Sequence, residues 1–181
     1  TKAGKRALCL GGAKNHIIIV PDADKDSTAK GLLGSSMGSA GQRCMAASVA
    51  IGVADIDPII DQLILETESF QLGEDMGTIV SKQALGRITN YINEAVAMGA
   101  ELLVDGRNIT PPAEYRDGYW LGPTILDGVD PDWSCAKEEI FGPVLSIIRV
   151  DTIEAALEIE NNNQYGNAAA VFTTSGQIAQ T

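Results

Sequence analysis

The stretch "IIIVPDADKDSTAKGLLGSSM", residues 17–37, sets the reading of the fold. Its first four residues are branched and apolar without a polar interruption, the pattern of a strand buried on both faces. "PDADKDS" breaks the run, and residues 27–37 then read as a helix. A buried strand followed directly by a helix is the opening of a βαβ unit, and the pattern recurs down the chain. Residues 48–53 are strand-like. Asp57-Pro58 reads as an N-cap with Pro at the first helical position, with Ile59, Ile60, Leu63 and Ile64 on one face behind it. Ser81 caps a predicted helix whose Leu85, Ile88, Ile92, Ala95 and Val96 step by three or four, and Gly99 ends it. Residues 101–104 form a short strand, and 105–118 are a loop by composition. Residues 119–126 are extended but broken at Gly122-Pro123, and 144–150 form a strand. Asp151 and Glu154 resemble a capping box on the next helix. Residues 168–174 are the last strand, and "SGQIAQT" starts a helix. The alternation predicts an α/β fold with a doubly wound, largely parallel sheet. No internal repeat or interdomain linker is visible.

The 181 residues suit one domain with a sizeable core. With 13 basic and 24 acidic residues the formal net charge is −11. That acidity argues against nucleic acid or an anionic membrane as partner. No apolar run approaches the length of a membrane span. The three cysteines, Cys9, Cys44 and Cys135, form no visible disulfide framework, which points to a reducing compartment. Asn108-Ile109-Thr110 is a sequon of a length that arises by chance.

The candidate sites divide sharply. Asp22, Asp24 and Asp26 occupy positions 1, 3 and 5 of a calcium loop, but Ser27 and Leu33 stand where Gly and a bidentate Glu are required. The acidic run is better read as favouring a helix N-terminus. The glycines at 11–12 and 31–41 complete neither dinucleotide fingerprint nor P-loop. One histidine and three distant cysteines give no metal site. "GSAGQRCMA", residues 38–46, is different. Small residues let backbone N–H groups approach a ligand, and Arg43 sits directly before Cys44, surroundings that suit a nucleophilic thiol. A small buried core thiol is the other reading, and both stay open on local chemistry. Cys135, after Trp133-Ser134, reads as a core thiol. Glu138 and Glu139 read as solvated, since neighbours in sequence point different ways.

Three segments together resemble the aldehyde dehydrogenase superfamily. "GQRC" resembles its catalytic-cysteine segment, "KEEIFGPV" (137–144) its cofactor-ribose motif, and "NNNQYG" (161–166), followed by "AAAVFT", its Asn–Tyr–Gly segment. Their order and spacing span nearly the whole chain. "GAKNH", "PDAD", "AGQRCMA", "GPTI" and "NNNQYGN" are similar to the CoA-acylating methylmalonate-semialdehyde (malonate-semialdehyde) dehydrogenases. Two departures stand out. Hydrolytic relatives carry "ELGGK" where this chain has "CLGGAK", which leaves Cys9 or Leu10 at the glutamate's place. Thr78 replaces a usual Pro, away from the chemistry.

The resemblance implies residues and roles. Cys44 would attack the aldehyde carbon, with its backbone N–H holding the oxyanion. Hydride would pass to NAD, with Glu139 on the nicotinamide-side ribose and Phe141 packed near the ring. With the usual base absent, coenzyme A becomes the expected acyl acceptor, with loss of CO2. Arg43 would pair with a substrate carboxylate through its guanidinium fork, or else pack a loop; the two stay level. The resemblance also implies that residues 1–181 are a partial catalytic domain. A preceding NAD-binding domain and a following oligomerisation strand lie outside it, so the piece alone is expected to be inactive. The parent is expected to form a homo-oligomer in a bacterial cytoplasm or mitochondrial matrix. A hydrolytic aldehyde dehydrogenase and a non-catalytic fragment are the rival readings.

Overall fold

The computed structural model describes residues 2–6 and 11–181. The expectation about Cys9 and Leu10 lies outside the described residues. Six strands form one sheet: β1 (Asn15–Ile19), β2 (Ala47–Val53), β3 (Glu101–Val104), β4 (Thr124–Asp127), β5 (Val144–Val150) and β6 (Ala169–Phe172). Their order is β3-β4-β5-β2-β1-β6. Only β3 runs antiparallel to its neighbour, so the sheet is largely parallel as predicted. Consecutive residues along β1, β2 and most of β5 are buried, so both faces of the sheet centre are covered. The helices are α1 (Lys25–Met37), α2 (Asp57–Glu68), α3 (Lys82–Met98), α4 (Ser134–Lys137), α5 (Ile153–Asn161) and α6 (Gly176–Gln180). No helix among the described residues is long and apolar enough to cross a membrane.

Side-chain caps set several of these boundaries. Asp24 accepts from Ser27 N at 2.8 Å and caps α1. Asp22 instead accepts from the Thr173 and Thr174 hydroxyls and ties the β1–α1 turn to the end of β6. Those bonds hold its carboxyl below the usual range. So the acidic run is helix-start and turn chemistry, and among the described residues no group of three ligands could hold a metal. Ser81 caps α3 and Gly99 ends it at φ 111°, both as predicted.

Two caps differ from expectation. The N-cap of α2 is Ile56, and Asp57 lies inside the helix, where its carboxylate pairs with Arg149 at 2.7 Å. Arg149 also grips Asp127 through two nitrogens, so one guanidinium joins α2, β4 and β5. At α5 the cap is Thr152, whose hydroxyl accepts from Ala155 N, and not Asp151. The single turn of α4 carries no periodicity that a sequence pattern could reveal.

Candidate active site

Parallel strands all begin on one edge of a sheet, and that edge assembles the site. Residues 12–14 precede β1, 44–46 precede β2, 139–143 precede β5, and 165–168 precede β6. These segments are far apart in sequence yet lie side by side, because β5, β2, β1 and β6 are adjacent. Helix α1 runs back from the far edge, so its carboxyl end also arrives here.

The turn into Cys44 is unusual backbone. Ser39, Ala40 and Gly41 take φ of 54°, 55° and 65°, three left-handed residues in succession. Such conformations cost L-residues roughly 1–2 kcal/mol each. Gly41 is required twice over: a Cβ there would lie 2.0 Å from the Gly142 carbonyl oxygen. This close approach docks "GQRC" onto "IFGP". Phe141 also has positive φ, 54°, and is 36% exposed. Gln42 reaches a different segment, the stretch before α3. Its amide donates to Thr78 O at 3.1 Å and accepts from Val80 N at 2.9 Å.

The four predicted site residues fall as follows. Cys44 is an exposed free thiol, whereas Cys135 is free and fully buried, as expected for a core thiol. Burial pushes the Cys135 thiol up. Arg43 is exposed next to Cys44, and its Nη2 donates to Gly34 O at 2.6 Å and Ser35 O at 3.0 Å. These are carbonyls near the end of α1, a helix with no basic residue in its own last turn. The loop-packing role weighed for Arg43 is therefore present in the geometry. Glu139 is half-buried and lines a cleft of about 230 Å³ together with Cys44, Gly11, Gly12, Ala13 and Asn167. Phe141 joins Cys44, Arg43 and Glu139 around the neighbouring hollow. A larger cavity of about 650 Å³ opens beside His16, Lys137 and Glu158, and none of these four residues lines it.

Glu138 and Glu139 take different surroundings, Glu138 exposed beside α3 and Glu139 half-buried in the cleft. Glu138 accepts from the Tyr91 hydroxyl, and burial together with that bond raises the phenol to about 12. From the same helix, Arg87 Nη1 donates to Ile140 O at 2.7 Å. Thus α3 holds the loop that turns Glu139 toward Cys44. Gly12 shapes the cleft floor. A Cβ there would lie 3.1 Å from the Tyr165 ring and 3.4 Å from Glu139 Oε2.

Four residues that sequence reasoning passed over support this edge. Asn163 donates to Lys14 O at 2.7 Å and accepts from Tyr165 N, which orders the turn before β6. Asn15 and Asn167 both donate to the Cys44 carbonyl oxygen, at 2.8 and 2.6 Å. Lys14 is 2% exposed and donates to Cys135 O at 2.7 Å. Burial lowers its ammonium from 10.5 to about 8, against the opposing pull of Cys135, Glu139 and Glu138. For Lys14, Asn15 and Asn167 the available signal was a polar residue beside an apolar strand, in "GAKNHIII" and "YGNAAA"; Asn163 had none of that kind.

Lys14 makes a pH prediction. Below about pH 8 the folded protein carries a buried cation and bears its full cost. The unfolded lysine keeps its proton up to 10.5, so the cost is relieved as pH rises from about 8 to 10.5. In denaturant titrations, wild type should gain about 3 kcal/mol on Lys14→Met across that window. A pH-independent difference would rule out a buried charged lysine.

The aldehyde dehydrogenase family profile matches residues 1–181. The chain belongs to the aldehyde dehydrogenase family. Within it, the chain is 43% identical over 99% of its length to a malonate-semialdehyde dehydrogenase of Pseudomonas aeruginosa, and covers 38% of that protein. It is 40% identical to the human mitochondrial acylating methylmalonate-semialdehyde/malonate-semialdehyde dehydrogenase, with 99% of this chain and 35% of the human protein covered. A Sinorhizobium meliloti crystal structure with NAD, provisionally assigned as a methylmalonate-semialdehyde dehydrogenase, superposes with a TM-score of 0.92. It shares 44% identity over 99% of this chain and 38% of its own. The chain thus spans little more than a third of the aldehyde dehydrogenases it matches.

Proposed function

We propose that these residues form part of the catalytic domain of an NAD-dependent, CoA-acylating semialdehyde dehydrogenase. Its substrate would be methylmalonate or malonate semialdehyde. The observation that carries this reading is the shared cleft of Cys44 and Glu139 over the bare floor at Gly12. That cleft joins the one exposed free thiol among the described residues to a half-buried carboxylate. The relatives named above, and the NAD in the Sinorhizobium structure, supply the reaction class.

NAD, when bound, accepts the hydride. The cleft of about 230 Å³ beside Gly12 has room for part of such a cofactor, and the Glu139 carboxylate on its wall is an acceptor for hydroxyl donors. Glu139 would hold ribose hydroxyls, and Phe141 would pack beside the ring. The Cys44 thiolate adds to the aldehyde carbon, and the carbonyl π pair moves onto oxygen, where the Cys44 N–H donates to it. Loss of hydride from that carbon leaves a thioester on Cys44. The thiolate of coenzyme A then attacks the acyl carbon, and Cys44 leaves as thiolate. Loss of CO2 from the carboxylated acyl group leaves its bonding pair as a thioester enolate, which takes a proton from water to give propionyl-CoA or acetyl-CoA. Arg43 is the proposed carboxylate partner. Its bonds to Gly34 and Ser35 use Nη2 alone, which leaves other guanidinium donors beside Cys44. The proposed setting is a bacterial cytoplasm or mitochondrial matrix, with the intact protein a homo-oligomer.

The deciding assay is NADH formation by the intact polypeptide with malonate semialdehyde, with and without coenzyme A. Turnover that requires coenzyme A is expected. Equal turnover without it would indicate hydrolysis, and none in either case a non-catalytic chain. In the same assay Arg43→Leu should raise KM for the semialdehyde about tenfold or more, and far less for propanal. An equal rise for both aldehydes would leave Arg43 only its packing of α1.

A further inference from the structure

We propose that Asn15 and Asn167 are positioning residues that aim the Cys44 thiol. The inference rests on Cys44 being the nucleophile. Cys44 lies in a turn between the left-handed segment and β2, and its side chain is exposed. Nothing about such a turn fixes a thiol by packing. Two amides do so instead. Asn15 Nδ2 donates to Cys44 O at 2.8 Å and to Ala46 O at 2.8 Å. Asn167 Nδ2 donates to Cys44 O at 2.6 Å and lies 3.3 Å from Asn15 Oδ1. The Ala46 N to Arg43 O bond closes the turn behind them.

One donor would satisfy a carbonyl; two from separate segments fix its direction. Setting the Cys44 carbonyl sets the peptide plane that follows, and with it the direction of the Cα–Cβ bond. Cys44 and Glu139 line one cleft, so that direction decides how the thiol meets it. The donors are well anchored, since Asn15 is 5% exposed at the first position of β1 and Asn167 stands two residues before β6. The arrangement also gives the "NNNQYGN" segment a part in the chemistry without touching a reacting atom. It carries the second half of a clamp whose first half lies 152 residues earlier.

The test uses the intact polypeptide and four variants: Asn15→Ala, Asn167→Asp, Asn167→Gln and Cys44→Ala. Asn167→Asp keeps the shape and loses the amide donor, whereas Asn167→Gln keeps the donor. Pre-steady-state NADH release should fall roughly 10- to 100-fold in Asn15→Ala and Asn167→Asp, with KM within about twofold of wild type. Asn167→Gln should recover much of the rate. Alkylation of Cys44 by iodoacetamide should change in the same order, and it needs neither substrate nor cofactor. Lowered melting temperatures with wild-type NADH release and alkylation would overturn the proposal and make the amides simple fasteners of the sheet edge. Should Asn15→Ala fail to fold, the two Asn167 variants give the same comparison. NADH formation surviving in Cys44→Ala would overturn the nucleophile reading instead, and the alkylation rates would still decide whether the amides aim the thiol.

Discussion

Cys44→Ala in the intact polypeptide is expected to lower NADH formation from malonate semialdehyde by at least about 10⁴-fold, the scale seen when a covalent nucleophile is removed. No second thiol among the described residues can take over. Cys135 is fully buried, and its own carbonyl is tied to Lys14. The fold should be indifferent to the change, because the Cys44 side chain is exposed and the bonds to Asn15 and Asn167 use its backbone carbonyl. Stability should stay within about 0.5 kcal/mol of wild type. Activity above a hundredth of wild type, in a variant of unchanged melting temperature, would remove Cys44 from the mechanism.

Gly41→Ala should be the most damaging single-methyl change at the site. The new Cβ would sit 2.0 Å from Gly142 O, which is backbone and has no rotamer to give. The residue would also be held at φ 65°. Overpacking and left-handed strain together suggest a loss of about 3–5 kcal/mol. The alternative is that the "GQRC" and "IFGP" segments separate, which would carry Cys44 away from Glu139. Gly86→Ala is the control. It lies within α3 with nothing within 4 Å of its Cβ, and should stabilise by about 0.5–1 kcal/mol. Equal effects of the two in denaturant titrations would show that the segments are not in close approach.

Much of the architecture was legible because it depends on local pattern. The branched run at 17–20 and the spacing of Ile88, Ile92 and Ala95 each announce one element and its buried face. Strand order was not legible, since nothing in β5 says that it will lie beside β2 rather than β4 alone. The site divided in the same way. Cys44 was marked by its neighbours but not distinguished from a core thiol, because exposure depends on what the turn docks against. Local chemistry leaves Glu138 and Glu139 equivalent; the resemblance singles out Glu139, and Tyr91 and Arg87 of α3 show what holds the two apart. For Arg43 the sequence offers a carboxylate partner or a loop packer; which loop it packs, at Gly34 and Ser35, follows from where α1 ends, a tertiary fact. Asn15 and Asn167 could not be paired by any local rule.

The placement of Cys44 at the starting edge of parallel strands has an electrical consequence. Helices that return from the far edge arrive with their carbonyl ends forward, as α1 does at Gly34 and Ser35, so the field there is negative. A thiolate or an oxyanion gains nothing from such a neighbourhood, unlike a phosphate at a helix amino end. The charge of Arg43 sits on those carbonyls and offsets their field beside the thiol. Its removal would therefore be felt by Cys44 even when the substrate carries no carboxylate.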